Sequence, residues 1–185
     1  MQCTNARIVQ KAILNLKRND DILSRIIDGV GSFRIQLRLP PFTGLVQAII
    51  SQQLGEAAAR AIYSRFIQLY PNRNPLPSFV NNTSLQQITN QGLSMKKASL
   101  IKELASDIVF DNLSLDRLAR ASNGNVIERL LRYNGIGEWT ANIFLIFSLG
   151  RIDALPKSDL ALQRAIAKAY GTPSNNDWPS IFDRI

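Results

Sequence analysis

The chain has 185 residues, 45% hydrophobic and 19% charged, enough for one good core or two small lobes sharing one, and outside the compositional range of disorder. A lone cysteine, Cys3, and the absence of histidine exclude an intramolecular disulfide, cysteine- or histidine-ligated metal centres and every histidine-based triad. Lysine and arginine number 22 against 14 acids, a net +8, which points to a polyanionic partner, nucleic acid or an anionic membrane; a merely basic, soluble surface is the plainer reading.

Any chemistry must therefore rest on carboxylates, lysines, hydroxyls, backbone groups or an ion held by oxygens. No apolar run approaches the roughly 20 residues of a membrane span. Residues 1–7 lack the apolar core of a secretory signal. The expected location is intracellular: cytoplasm and nucleoid, or the nucleus in a eukaryote.

In chain order the pattern is helical nearly throughout. Ile8, Val9, Ala12, Ile13 and Leu16 recur at three- and four-residue spacing, Asp20-Asp21 offers a cap, and Ile22, Leu23, Ile26 and Ile27 make a second short helix ended by Gly29-Val30-Gly31. Residues 36–41 read as short and extended, with Pro40-Pro41 forbidding helix. One long amphipathic helix is expected from Thr43 to Pro71, followed by a linker to Pro77. Asn82-Thr83-Ser84 matches a glycosylation acceptor and is read as chance in a chain without a secretory route. Helices resume at 85–88, 95–109, 115–119 and 126–131. The turn Asn134-Gly135-Ile136-Gly137 then leads into a helix over 138–149, closed by Gly150. After Pro156, Asp159 precedes a last helix that Gly171 ends. No strand or internal repeat is evident, and the fold class is all-α.

The turn at 134–137 carries chemistry. Two glycines around one isoleucine permit a tight connection, because glycine accepts positive φ. Ile136 should point inward and lock the flanking helices. The uncovered backbone N–H groups of Gly135, Gly137 and the following helix start can meet a phosphate oxygen, aided by the helix dipole. For a bare Gly-x-Gly an ordinary helix–turn–helix connection is the better explanation.

The longer string is more specific. Asn134-Gly135-Ile136-Gly137-Glu138-Trp139-Thr140-Ala141, followed by Leu155-Pro156-x-x-Asp159-Leu160, resembles the helix-hairpin-helix plus Gly/Pro-Asp (HhH-GPD) signature of base-excision DNA glycosylases, in particular the 3-methyladenine DNA glycosylase II branch. Residues 42–59 with their Ile50-Ser51-Gln52-Gln53 core, Gly92-Leu93-Ser94-x-x-Lys97-Ala98 and Lys11-Ala12 agree with that branch. The resemblance implies a single two-lobed helical domain over 1–185, the helix-hairpin-helix at about 125–149 and the active site between the lobes. It differs from longer members in having no room for an N-terminal α/β domain. Members also continue into a Trp-x-Pro-x-Arg motif, of which Asp177-Trp178-Pro179 is at most a degenerate version, so the C-terminal helices look truncated.

The resemblance assigns roles residue by residue. Asp159 becomes the catalytic carboxylate, stabilising positive charge on the sugar as the base departs; taken alone, it is as well explained as the N-cap of the last helix. Trp139 stands where bifunctional relatives carry a Schiff-base lysine, so water is the expected nucleophile and no lyase step is expected. Trp139 and Tyr133 are candidate pocket residues, an electron-rich face suiting a base made cationic by alkylation, with core filling as the alternative for Trp139. Gln53, then Leu54, is the candidate wedge that replaces an extruded nucleotide; otherwise both simply continue the long helix. Arg132, Lys96, Lys97, Arg164 and Lys168 are electrostatic candidates for phosphate contact.

The expected activity is hydrolysis of the N-glycosidic bond of 3-methyladenine and related lesions, with a non-catalytic helix-hairpin-helix DNA-binding module as the alternative. The expected partner is double-stranded DNA containing alkylated bases, met by a monomer and not by a membrane. No cofactor is implied, although the hairpin carbonyls leave room for a structural monovalent cation.

Overall fold

The computed structural model describes residues 2–31 and 40–171. The predicted extended residues 36–39 and the Trp178-Pro179 segment lie outside them. Every regular element among the described residues is helical, in agreement with the all-α expectation, and no helix is long and apolar enough to cross a membrane. The chain divides into two compact units, one formed by Met1–Gln36 and Leu155–Ile185, the other by Leu37–Ala154.

The Leu37–Ala154 unit holds the apolar core. Its first helix, α3 (Pro41–Ser51), begins on a proline predicted to forbid it. At a first helical position the missing N–H has no partner to lose, so Pro41 is tolerated there. Phe42, Leu45, Val46, Ile49 and Ile50 are buried, facing α10 (Glu138–Phe147) and α7 (Met95–Val109). Gly44 lets α3 approach α10 closely, since a Cβ there would collide with the Ser148 side chain.

The single long helix expected from 43 to 71 is two helices, α3 and α4 (Glu56–Gln68). The Ser51 hydroxyl bonds back to the Gln47 carbonyl at 2.9 Å, Gln52 leaves helical geometry and Gln53 adopts φ +55°. Apolar periodicity continues across this break, so periodicity alone could not reveal it. The predicted 71–77 linker contains a 3-10 turn, Pro71–Arg73, and ends at α5 (Pro77–Asn82), a short helix packed on α7 that the sequence reading lacked.

Serines set the next four starts. Ser84, Ser94, Ser114 and Ser122 cap α6 (Leu85–Thr89), α7, α8 (Leu115–Arg120) and α9 (Asn123–Leu131) with their hydroxyls, each such cap typically contributing about 1 kcal/mol. Because Ser122 and not the apolar pattern fixes the start of α9, that helix opens three residues before the expected 126.

The other unit contains α1 (Gln2–Asn19), α2 (Asp21–Val30) and α11 (Leu160–Tyr170). Asp20 caps α2 as expected, accepting from the N–H groups of Ile22 and Leu23 at 2.9 and 2.8 Å. Gly29 and Val30 belong to the helix, and Gly31 ends it at φ +78°. Neither α2 nor α11 has a fully buried residue. Polar links matter correspondingly more here.

Candidate nucleic-acid interface and carboxylate

In the hairpin, only one of the two glycines uses glycine's conformational freedom. Gly135 sits at φ +111°, with Leu100 close to where a Cβ would stand. Gly137, at φ −103°, is backbone that any residue adopts, and a Cβ there would meet nothing. Its missing side chain instead leaves the start of α10 uncovered. No side chain caps that helix start, where Gly137 is the N-cap residue. Ile136 is buried, as expected of a residue that locks α9 to α10.

The hairpin is tied down from two sides. Gln52 Nε2 donates to the Gly135 carbonyl and to Thr140 Oγ1, both at 2.8 Å. The Tyr133 hydroxyl donates to Asp107 Oδ2 on α7 at 2.7 Å. Burial, then the hydrogen bond and the charge of Asp107, push the Tyr133 phenol above its ordinary value of 10.0. Tyr133 was expected as a pocket residue; it is 5% exposed and packs in the core cluster, so its visible role is to anchor the hairpin. Trp139 lies in the first turn of α10 and is half-buried.

Gln53 and Leu54 do not continue a helix. They form an exposed tip between α3 and α4. Left-handed geometry in a residue with a Cβ costs roughly 1–3 kcal/mol and persists only where surrounding contacts impose it.

The basic residues divide into two sets. Lys97 Nζ donates to the carbonyls of Ile50 and Gln52 at 2.9 and 2.7 Å, and burial lowers its pKa. Its charge is turned onto the C-terminal end of α3, a contact that its expected role at a phosphate did not include. Lys102, Arg65, Arg129 and Arg151 likewise donate to backbone carbonyls near helix C-termini, satisfying acceptors that helix ends leave over. Arg132 makes an exposed ion pair with Glu128 at 3.1 Å, a contact weak enough to exchange for phosphate. Lys96 is exposed on α7, and Arg164 and Lys168 lie along α11.

Asp159 is the N-cap of α11. Its Oδ1 accepts from the Leu162 N–H at 2.9 Å, and its own N–H donates to the Pro156 carbonyl at 2.8 Å. The buried Pro156 stiffens the approach. The capping role is therefore real, and it fixes one carboxylate oxygen and with it the aim of the side chain.

Among the described residues, no three of His, Cys, Asp or Glu gather to hold a metal ion. A monovalent ion would use neutral oxygens instead. The Tyr133 and Gly135 carbonyls accept from Ile136 N–H and Gln52 Nε2, each retaining a second lone pair.

The sequence reading had no place for Asp107, and quoted Gln52 and Thr140 as parts of motifs without the contact that joins them. Gln52 meets Gly135 across 83 residues, and no local pattern signals such a contact.

The chain is similar to known proteins in sequence and fold. The family profile described as "HhH-GPD superfamily base excision DNA repair protein" matches residues 46–181. The chain is 31% identical over 168 residues to DNA-3-methyladenine glycosylase 1 of Schizosaccharomyces pombe, covering 88% of this chain and 74% of that protein. A solved 3-methyladenine DNA glycosylase of S. pombe, in complex with abasic DNA, superposes with a TM-score of 0.82 at 31% identity, covering 88% of this chain and 82% of that one. A DNA-3-methyladenine glycosidase from Bacillus halodurans gives a TM-score of 0.73 at 34% identity, over 84% and 72% of the two chains. The profile match over most of the chain, on the same helices that carry the hairpin and Asp159, makes this protein a member of the HhH-GPD superfamily of base excision DNA repair proteins.

Proposed function

We propose that this chain is a monofunctional DNA glycosylase that removes alkylated bases such as 3-methyladenine from duplex DNA. The observation that carries the reading is Asp159, a carboxylate held at a rigid helix start by its bond to the Leu162 N–H. As the C1′–N bond breaks, its electron pair leaves with the base, and positive charge grows on the sugar. The Asp159 carboxylate stabilises that charge. Water then adds to C1′ and gives up a proton, leaving an abasic site and a free base.

N3- or N7-alkylation has already made the base cationic. It needs no protonation to depart, which suits a chain without histidine. The Trp139 ring face attracts such a cation. Trp139 also stands where a Schiff-base lysine would act, so the abasic strand is left intact; a borohydride-trapped protein–DNA adduct would refute this. The uncovered start of α10 binds a backbone phosphate through N–H groups, and the Gln53–Leu54 tip enters the base stack. A monovalent cation held by hairpin carbonyls, including those of Tyr133 and Gly135, would stiffen the turn. The protein acts as a monomer within the cell compartment that holds DNA.

Release of free 3-methyladenine from methylated DNA tests the reading. Asn caps helices as well as Asp, so Asp159→Asn should fold like wild type while excision falls by about 100-fold or more. Undiminished release would remove Asp159 from the mechanism.

A further inference from the structure

The Gln53–Leu54 tip and the hairpin are separate in sequence, yet two side chains join them inside the Leu37–Ala154 unit. Lys97, in the first turn of α7, donates to the carbonyls of Ile50 and Gln52, which the end of α3 leaves without helical partners. The Gln52 side chain runs the other way, to the Gly135 carbonyl and Thr140 Oγ1. Gln52 is thus gripped by its backbone from α7 and by its amide from the hairpin. The next residue is Gln53, at φ +55°, and then Leu54, 39% exposed. A left-handed residue with a Cβ needs surroundings that impose the conformation, and the Lys97–Gln52 contacts supply such a hold on its immediate neighbour.

We propose that Lys97 and Gln52 are positioning residues for nucleotide extrusion: they brace the Gln53–Leu54 tip against the hairpin, so that the backbone grip and the entry of the tip into the stack occur in register. Neither touches the base or the sugar. This inference rests on the reading of Gln53–Leu54 as a wedge. Its physical basis is that a wedge acts only at a defined distance from the phosphate that anchors the protein, and a displacement of about one ångström costs about 100-fold in a positioned reaction.

The test uses the whole chain and a duplex carrying a tetrahydrofuran abasic analogue opposite 2-aminopurine, whose fluorescence rises when it is unstacked. Affinity is measured on the same duplex. Wild type should raise the fluorescence, and a Gln53→Ala/Leu54→Ala double variant should not. Lys97→Met and Gln52→Met should bind within about threefold of wild type but lose most of the rise, with duplex excision falling roughly tenfold or more. Lys97→Arg should restore both, since Arg151 already shows in this unit that an arginine can hold two carbonyls at a helix end.

Should Lys97→Met and Gln52→Met keep the full rise while the double variant loses it, the brace is wrong and the wedge stands. A full rise from the double variant, or none from wild type, overturns the wedge reading and the brace with it. Loss of binding in parallel with the rise would make Lys97 a phosphate contact and end the proposal. If Lys97→Met fails to fold, Gln52→Met, nearly isosteric and uncharged in both forms, decides alone.

Discussion

The hydroxyl of Tyr170, the last residue of α11, donates to Asp20 Oδ2 at 2.8 Å, while Asp20 Oδ1 caps α2. One carboxylate thus joins the helix that starts at Asp159 to the junction of α1 and α2, 150 residues away in sequence. In a unit whose helices α2 and α11 bury no residue completely, this link holds the far end of the helix whose N-cap is the proposed catalytic acid.

Removing that hydroxyl should loosen α11 before it loosens the larger core. Tyr170→Phe is expected to cost about 1.5 kcal/mol, the worth of a hydrogen bond to a charged acceptor. Hydrogen exchange reads this locally: amides of α11 should exchange faster while those of α7 stay as in wild type. Uniform acceleration across both helices would show that the link has no local role.

The two hairpin glycines should separate folding from DNA binding. Gly137→Ala puts a methyl where the protein has nothing within 4 Å, so it should lose only about 0.5 kcal/mol, the cost of alanine for glycine at an N-cap. Its affinity for duplex DNA should fall by roughly tenfold, because the methyl stands where phosphate approaches the start of α10. Gly135→Ala must place a Cβ at φ +111° beside Leu100, and should lose stability by about 1–3 kcal/mol. Calorimetry beside a binding titration distinguishes the two; unchanged affinity in Gly137→Ala would remove the phosphate from this hairpin.

Net charge overstates the cations available to DNA, since several cap helix ends. The slope of log affinity against log salt should shrink by about 0.9 for each of Lys96→Ala and Arg164→Ala if each meets one phosphate. Lys102→Met should leave it unchanged, because Lys102 is spent on the carbonyls of Asn81 and Thr83. A Lys102 variant with the larger effect would reverse this division of the charges.

Alkali should expose the Tyr133 anchor. Its folded pKa lies above the unfolded value of 10.0, so the neutral phenol stabilises the fold fully below that value, and the contribution is lost as pH climbs beyond it. Burial raises Tyr63 and Tyr70 in the same direction. Wild-type stability should therefore fall more steeply above about pH 10 than that of Tyr133→Phe. At neutral pH the variant should be less stable by about 1.5 kcal/mol, because Asp107 loses its donor. Equal alkaline slopes would show that the phenol ionises freely in the folded chain.

Most helices were legible because their signals are local. Residues 95–109 carry a sustained apolar stripe, Asp20 and Asp159 cap the helices they precede, and Gly171 takes the left-handed position that ends α11. The break at 52–55 was not legible: apolar spacing runs through it, and the contacts that Gln52 makes there reach α7 and the hairpin, far away in sequence. Pro41 misled for the opposite reason, since a proline that stops a helix in its middle is welcome at its first turn.

The sequence by itself determined an all-helical fold class without histidine chemistry, a tight two-glycine hairpin and a carboxylate at the start of α11. Those properties depend on residue type and on neighbours three or four positions away. Only the tertiary structure decided that Lys97 donates to carbonyls at the end of α3, that Tyr133 anchors the hairpin through Asp107, and that Gln52 ties Gly135 to the exposed tip. Each is a hydrogen bond between groups 26 to 83 residues apart, and direction over such separations is set by how the helices pack, which no local pattern contains.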